Sequence, residues 1–365
     1  MQKILVYGAN GYTGKLMLAE AGTPTKNLVL AGRNSAALAD IGQEYGYDWQ
    51  AVPLDDADAL RAAVGACDVV LHLAGPYRHT AAPMRTACLD MGKHYVDITG
   101  ELSVFADHAS YDAAAKEAGI VLLSGAGFDV VPSDCLIRHV ADKIENPTDV
   151  AIYFSGGTGM TRGTMRSGLA GLFAGFPVRR AGNLSYLGKP IMHQMNVAGT
   201  DHIFYSAGWG DLETAWHSSR IPNITCFFER KPGFGMGGPF AAFTAPLLKS
   251  KPGQAVLNRI INSLPEGPTD EERAAATQTL IAVATNEVGD KVAAKLVTPE
   301  AYTLTGWSCL KAAEVLLDGG VPAGYHTPAS AFGAGFVETF PGVTLTDIDV
   351  SSDVKGAVER ITVRA

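Results

Sequence analysis

Lys3-Ile4-Leu5-Val6-Tyr7-Gly8-Ala9-Asn10-Gly11-Tyr12-Thr13-Gly14 is an apolar run that leads into three glycines, each three residues from the next. Gly8 permits a tight turn out of a strand, Gly11 lets backbone N–H groups approach a pyrophosphate, and Gly14 lets the next helix lie close on the sheet. The unpaired N–H groups at the start of that helix then face the anion. A glycine triplet alone also fits an ordinary loop, so its neighbours decide. An amphipathic stretch, Lys15–Ala21, and a second apolar strand, Asn27-Leu28-Val29-Leu30-Ala31, follow, giving strand, glycine turn, helix and strand within the ~30 residues that a dinucleotide-binding unit requires.

The residues after that second strand choose the cofactor. They are Gly32-Arg33-Asn34-Ser35, and no acidic residue lies between Gly22 and Asp40 to accept bonds from a ribose diol. A guanidinium at this place pairs with a 2′-phosphate, so NADP(H) is expected over NAD(H). The cofactor-binding set is Gly8, Asn10, Gly11, Tyr12, Thr13, Gly14, Arg33, Asn34, Asp55 and the turn Ala74-Gly75-Pro76.

Further on, strands are predicted over Trp49–Leu54, Asp68–Leu73, His94–Ile98 and Ile120–Leu123, with helices over Ala57–Val64, Ala81–Met91 and Ser103–Ala118. Regular alternation of this kind builds a Rossmann-type doubly wound parallel sheet, an α/β fold. Beyond Asp149 the pattern changes to strands at Val150–Phe154, His202–Ser206 and Asn223–Phe228, a hairpin of Thr279–Glu287 with Lys291–Thr298, and a helix at Ser308–Leu317. This reads as a second, mixed α+β domain. Pro265–Glu272 reads as an exposed charged linker.

Composition narrows the function. With 365 residues, 47% of them hydrophobic, the chain can bury two cores, and its net charge of −8 offers no footprint for nucleic acid. The five cysteines are far apart, no histidine pair has metal spacing, and no Gly-x-Ser-x-Gly elbow occurs, so no metal is expected. The start shows no leader pattern, which makes the cytoplasm the expected location. Pro232–Leu248 is too short and too interrupted by glycine and proline to span a membrane. Within it, Phe234–Phe243 fits an apolar substrate channel, peripheral contact with a membrane, or plain loop packing.

In an open parallel sheet ligands bind beyond the carboxyl ends of the strands, and these tips are rich: Ala74-Gly75-Pro76-Tyr77-Arg78-His79, Asp97-Ile98-Thr99-Gly100-Glu101 and Gly125-Ala126-Gly127-Phe128-Asp129. Tyr77 is the first candidate proton donor, with packing as the alternative. Asp97 and Glu101 orient it or cap a helix, and Asp129 binds substrate or satisfies local N–H groups. In the second domain Arg162 and Arg166, four apart, hold an anionic group of the substrate if helical, or else form a solvated face.

The chain resembles the saccharopine dehydrogenase-like oxidoreductases, and within them the branch of the trans-acting enoyl reductases. The likeness rests on Gly8–Gly14, Ala31-Gly32-Arg33-Asn34, Gly75-Pro76-Tyr77, Ala87-Cys88, His94–Asp97 with Gly100-Glu101, and Gly127-Phe128-Asp129 with Pro132-Ser133-Asp134. It implies an NADP-binding domain at 1–131, a substrate and oligomerisation domain at 132–305, and a segment 306–365 that packs back on the first. Ala82, Ala126 and Val130 depart from the branch pattern, and the lost hydroxyl at position 130 makes the site more apolar. The expectation is an NADP(H)-dependent enzyme reducing a polarised C=C or C=N bond of a small-molecule substrate. The alternatives are a saccharopine-type amino-acid dehydrogenase and a non-catalytic NADP sensor, and a homodimer stays open.

Overall fold

A computed structural model describes residues 2–22, 27–159, 161–165, 175–197, 200–230, 250–349 and 354–355. Its first sheet has seven strands: β1 (Ile4–Tyr7), β2 (Leu28–Gly32), β3 (Asp48–Ala51), β4 (Val69–His72), β5 (His94–Asp97), β6 (Val121–Leu123) and a late strand, Gly324–His326. All pairings are parallel, and β1 lies between β4 and β2, where the winding direction reverses. Both faces are covered, which is why β1 is apolar throughout. Ile4 and Val6 join a core with Met17 and Leu18 of the helix Tyr12–Ala21, whereas Leu5 and Tyr7 join a second core with Leu60, Val64 and Met84.

The second sheet contains β7 (Pro147–Gly156), β8 (Phe176–Arg180), β9 (Asn183–Leu187), β10 (Met192–Val197), β11 (Thr200–Ser206), β12 (Asn223–Glu229), β13 (Thr277–Asn286), β14 (Lys291–Pro299), β16 (Thr344–Ile348) and β17 (Val354–Lys355), with β15 being the late strand of the first sheet. Only the β7–β12 pair is parallel among the described pairings, and β13–β14 is the hairpin predicted from sequence. The hairpin β8–β9 and the strand β10 were not expected.

Three helices differ from expectation for identifiable reasons. The helix expected from Ala81 starts at Tyr77, because the Glu101 carboxylate accepts from the N–H groups of Tyr77 (2.9 Å) and Arg78 (3.1 Å) and stabilises an earlier first turn. The helix expected over Ser103–Ala118 is two, Leu102–Ser110 and Asp112–Glu117, parted at Tyr111, whose ring lies under the Arg85 guanidinium at 3.7 Å. The last long helix runs Ala301–Asp318, capped by the Glu300 side chain, so a boundary at 306 would cut it. Gly306 sits where that helix meets the Tyr12–Ala21 helix, with room for a Cβ only 3.5 Å from the Leu16 backbone. The segment beyond 306 serves both sheets: Gly324–His326 extends the first and β16 pairs with β14 in the second.

Candidate functional site

The three glycines act differently in space. Gly8 has φ +93°, and a Cβ there would lie 2.9 Å from the backbone nitrogen of Ala74. At Gly14 a Cβ would lie 2.5 Å from the Ala9 carbonyl oxygen and 2.7 Å from that of Gly8, so the helix and the turn touch backbone to backbone. Gly11 donates its N–H to the Gly8 carbonyl (3.0 Å), and its own Cβ position meets only that oxygen, at 3.3 Å. Its outer side is open. An open cavity of about 690 Å³ lies between Gly8, Asn10 and Ala74 on one side and Gly32, Arg33, Asn34 and Ser35 on the other. The Asn34 side chain is engaged as N-cap of the next helix, accepting from Ala37 N–H at 3.2 Å. Arg33 is exposed and makes no hydrogen bond or ion pair among the described residues, so its guanidinium is available to a 2′-phosphate. A turn with no room for side chains, a helix start and a free cation together fit NADP(H). Asp55 is exposed and does not line this cavity.

Arg33→Ala is expected to weaken NADPH binding by about ten- to hundred-fold, the value of a charge-assisted contact, with NADH affinity little changed. Calorimetric titration of both cofactors checks this, and equal losses would remove Arg33 from the phosphate site.

Across the strand tips, three side chains shape the loop after β6. The carboxylate of Asp97 accepts from Gly125 N–H (2.9 Å), Thr99 N–H (3.1 Å) and the Tyr95 hydroxyl (2.8 Å). Thr305 Oγ1 accepts from Phe128 N–H at 2.9 Å, and the Ser308 hydroxyl donates to the Ala126 carbonyl at 2.8 Å. The loop so held presents Asp129. That carboxylate has no hydrogen bond or ion pair among the described residues, and burial pushes its pKa up to about 6. It lies against Gly100 so closely that a Cβ there would collide with the carboxylate oxygen.

The residues of the expected catalytic trio are all engaged in contacts within the protein. Tyr77 is buried, its hydroxyl donating to the His72 carbonyl (3.0 Å) with its ring edge-on to His72, and burial raises its pKa further. Glu101 caps the Tyr77 helix, and Asp97, fully buried with its pKa raised to about 6 by that burial against its three hydrogen bonds, holds two loops in place. Both carboxylates accept from backbone N–H groups.

Residues 4–123 match the family described as the saccharopine dehydrogenase NADP-binding domain. The first domain is thus similar to the NADP-binding domains of that family. A trans-acting enoyl reductase of Mycobacterium leprae is 39% identical over 156 residues, 39% of this chain and 36% of the relative. The chain thus matches about a third of the length of such curated relatives. In structure it is similar to saccharopine dehydrogenase (L-Glu forming) from Saccharomyces cerevisiae, with a TM-score of 0.62 at 12% identity over 96% of this chain and 100% of that one. It is also similar to the homospermidine synthase of Legionella pneumophila solved with NAD, with a TM-score of 0.60 at 8% identity over 95% and 92%. At such identities the likeness is one of fold.

The NADP-binding domain is tied to the second sheet by contacts that sequence reading missed. The Tyr12 hydroxyl, in the glycine turn, donates to the Pro268 carbonyl at 2.7 Å and accepts from Arg273 at 3.0 Å. Gly267 lies flat on the Tyr12 ring, where a Cβ would come within 2.7 Å. The expected linker at Pro265–Glu272 is therefore a docked strap, and the Thr269-x-x-Glu272 capping box that starts its helix was the readable signal. Tyr302, edge-on to Tyr12, accepts from Thr161 N–H at 2.7 Å and joins the cradle to the residues that follow β7. Arg162 donates to the Leu264 carbonyl at 2.7 Å. Arg166 lies outside the described residues.

Proposed function

We propose that this chain is an NADP(H)-dependent oxidoreductase that reduces a polarised C=N or C=C bond, or runs the reverse oxidation, with Asp129 transferring the proton. The observation that carries this is the unpartnered Asp129 carboxylate, held at a strand tip in a loop braced by Asp97, Thr305 and Ser308. When bound, the cofactor exchanges hydride with the substrate at its nicotinamide. Asp129 gives a proton to the atom that does not receive the hydride. Its pKa near 6 leaves a usable protonated fraction close to neutral pH. In its ionised form the same carboxylate favours a cationic C=N over a neutral C=C, so cyclic imines head the substrate series.

Two other readings lose ground. A saccharopine-type substrate carries several carboxylates, and Arg162, one of few basic groups expected to hold them, is engaged with the Leu264 carbonyl. A mere sensor has no use for a half-buried carboxylate without partners among the described residues. The test is NADPH consumption with cyclic imines, enoyl thioesters and unsaturated ketones. Turnover of at least one is expected, and tight NADPH binding with no turnover would favour the sensor.

Gly100→Ala gives a finer check. The three atoms nearest the new methyl group all belong to the Asp129 side chain, the closest being a carboxylate oxygen that can rotate away, so the melting temperature should stay near wild type while turnover falls about tenfold or more, the sensitivity expected of a misplaced catalytic group. Unchanged turnover would separate Asp129 from the reaction.

A further inference from the structure

The stretch Phe234–Phe243 lies outside the described residues, but the strap downstream of it, residues 264–276 between the helix Lys251–Ser263 and β13, is described throughout. Little apolar burial holds this strap. Pro268 is its one buried residue, Gly267, Arg273 and Ala276 are partly covered, and the rest is exposed, so its attachment depends on a few polar contacts and is locally weak.

Those contacts come from two sides. From the second domain, Arg162 gives its N–H to the Glu266 carbonyl at 3.2 Å and its guanidinium to the Leu264 carbonyl. From the cofactor cradle come Tyr12 and Lys15. The Tyr12 hydroxyl bridges Pro268 and Arg273, Gly267 lies on the Tyr12 ring, and Lys15 pairs with Glu266 at 3.5 Å. Tyr12 is also the first residue of its helix, directly after the N-cap Gly11, so its backbone N–H belongs to the unpaired set that faces an anion. One residue therefore stands between two partners: its backbone serves the diphosphate site and its side chain serves the strap.

We propose that the strap is a latch on cofactor binding, in which docking of residues 264–276 on Tyr12 and binding of a diphosphate at the glycine turn stabilise each other. Holding the first turn of the helix fixes the ring and the hydroxyl on which the strap rests. Linkage makes the effect reciprocal, so whatever the cofactor gives the strap, the strap gives the cofactor. The latch rests on the NADP(H) part of the function proposed above and is independent of proton transfer by Asp129.

Hydrogen exchange over residues 264–276 of the full chain, read by mass spectrometry, tests this without ligand, with saturating NADPH and with saturating adenosine 2′-monophosphate. The last offers a phosphate to Arg33 and none to the glycine turn. NADPH should slow exchange in the strap several-fold, and adenosine 2′-monophosphate should leave it unchanged. Tyr12→Phe keeps the ring and removes the hydroxyl that makes both hydrogen bonds, so NADPH should bind about three- to tenfold more weakly, with adenosine 2′-monophosphate affinity unchanged. Gly267→Val, whose side chain would collide with the Tyr12 ring, should act in the same direction. Both variants should melt near the wild-type temperature, because the strap buries little. Bound NADPH that leaves strap exchange unaltered, NADPH affinity unchanged in both folded variants, or equal losses for the two ligands in Tyr12→Phe would overturn the latch alone. A wild-type chain that binds no NADPH would overturn the cofactor assignment as well.

Discussion

Asp129→Asn is expected to lower turnover by about 10²–10⁴-fold while leaving NADPH affinity unchanged, because it removes a general acid and nothing that touches the cofactor cradle. The amide keeps the size of the carboxyl group and forgoes the proton. In the wild type the reductive kcat/KM should fall as pH rises through about 6, since the protonated form is the donor and Asp129 loses its proton there. The oxidative direction should show the opposite slope. Asp97 also has a pKa of about 6, so the assignment rests on the variant: in Asp129→Asn the titration near 6 should vanish from the residual rate. Tyr77→Phe should turn over at close to the wild-type rate. If Tyr77→Phe is the slow variant and Asp129→Asn the normal one, the proton path must run through the His72–Tyr77 contact instead.

Substitution of the glycines should split binding from folding. Gly11→Val should abolish NADPH binding without unfolding, as its Cβ meets only one atom, the Gly8 oxygen at 3.3 Å, and otherwise projects into the space the pyrophosphate would occupy. Gly14→Val should instead destabilise the fold by roughly 1–3 kcal/mol or more, because the obstacles at 2.5–2.7 Å are backbone atoms of Ala9 and Gly8 that cannot move aside. Thermal melting and calorimetric titration of both variants check this. A Gly11→Val protein that binds NADPH normally would mean the cradle does not hold the pyrophosphate.

The cofactor side was legible because its constraints act on residue type. Only glycine fits at 8 and 14, and a lone cation where an acidic residue would read a ribose marks the 2′-phosphate site. The proton side was legible in place only. Tyr77, Asp97, Glu101 and Asp129 all stand at strand tips, but a tip side chain can point to a substrate or to a neighbour far along the chain. Glu101 reaches back 24 residues to a helix start, and the Tyr77 hydroxyl turns under the sheet to His72. Such directions depend on long-range packing, which periodicity does not carry. The strap over Tyr12, 256 residues away from it, was hidden for the same reason. Gly306 concealed the first turns of the helix Ala301–Asp318, since glycine inside a helix argues against it unless another backbone lies alongside.

The strand Gly324–His326 at the edge of the first sheet has a bearing on how the protein is made. It pairs with β6, about two hundred residues upstream, and the helix Ala301–Asp318 covers one face of the same sheet. A nascent chain emerging from the ribosome therefore displays β1 to β6 early, with the β6 edge unpaired and one core open, and completes them only when residues 301–326 are out. Vectorial, half-by-half folding is closed to it. A fragment cut after residue 131 should be aggregation-prone, and exchanging the nucleotide-binding half with that of a relative requires moving residues 301–326 as well.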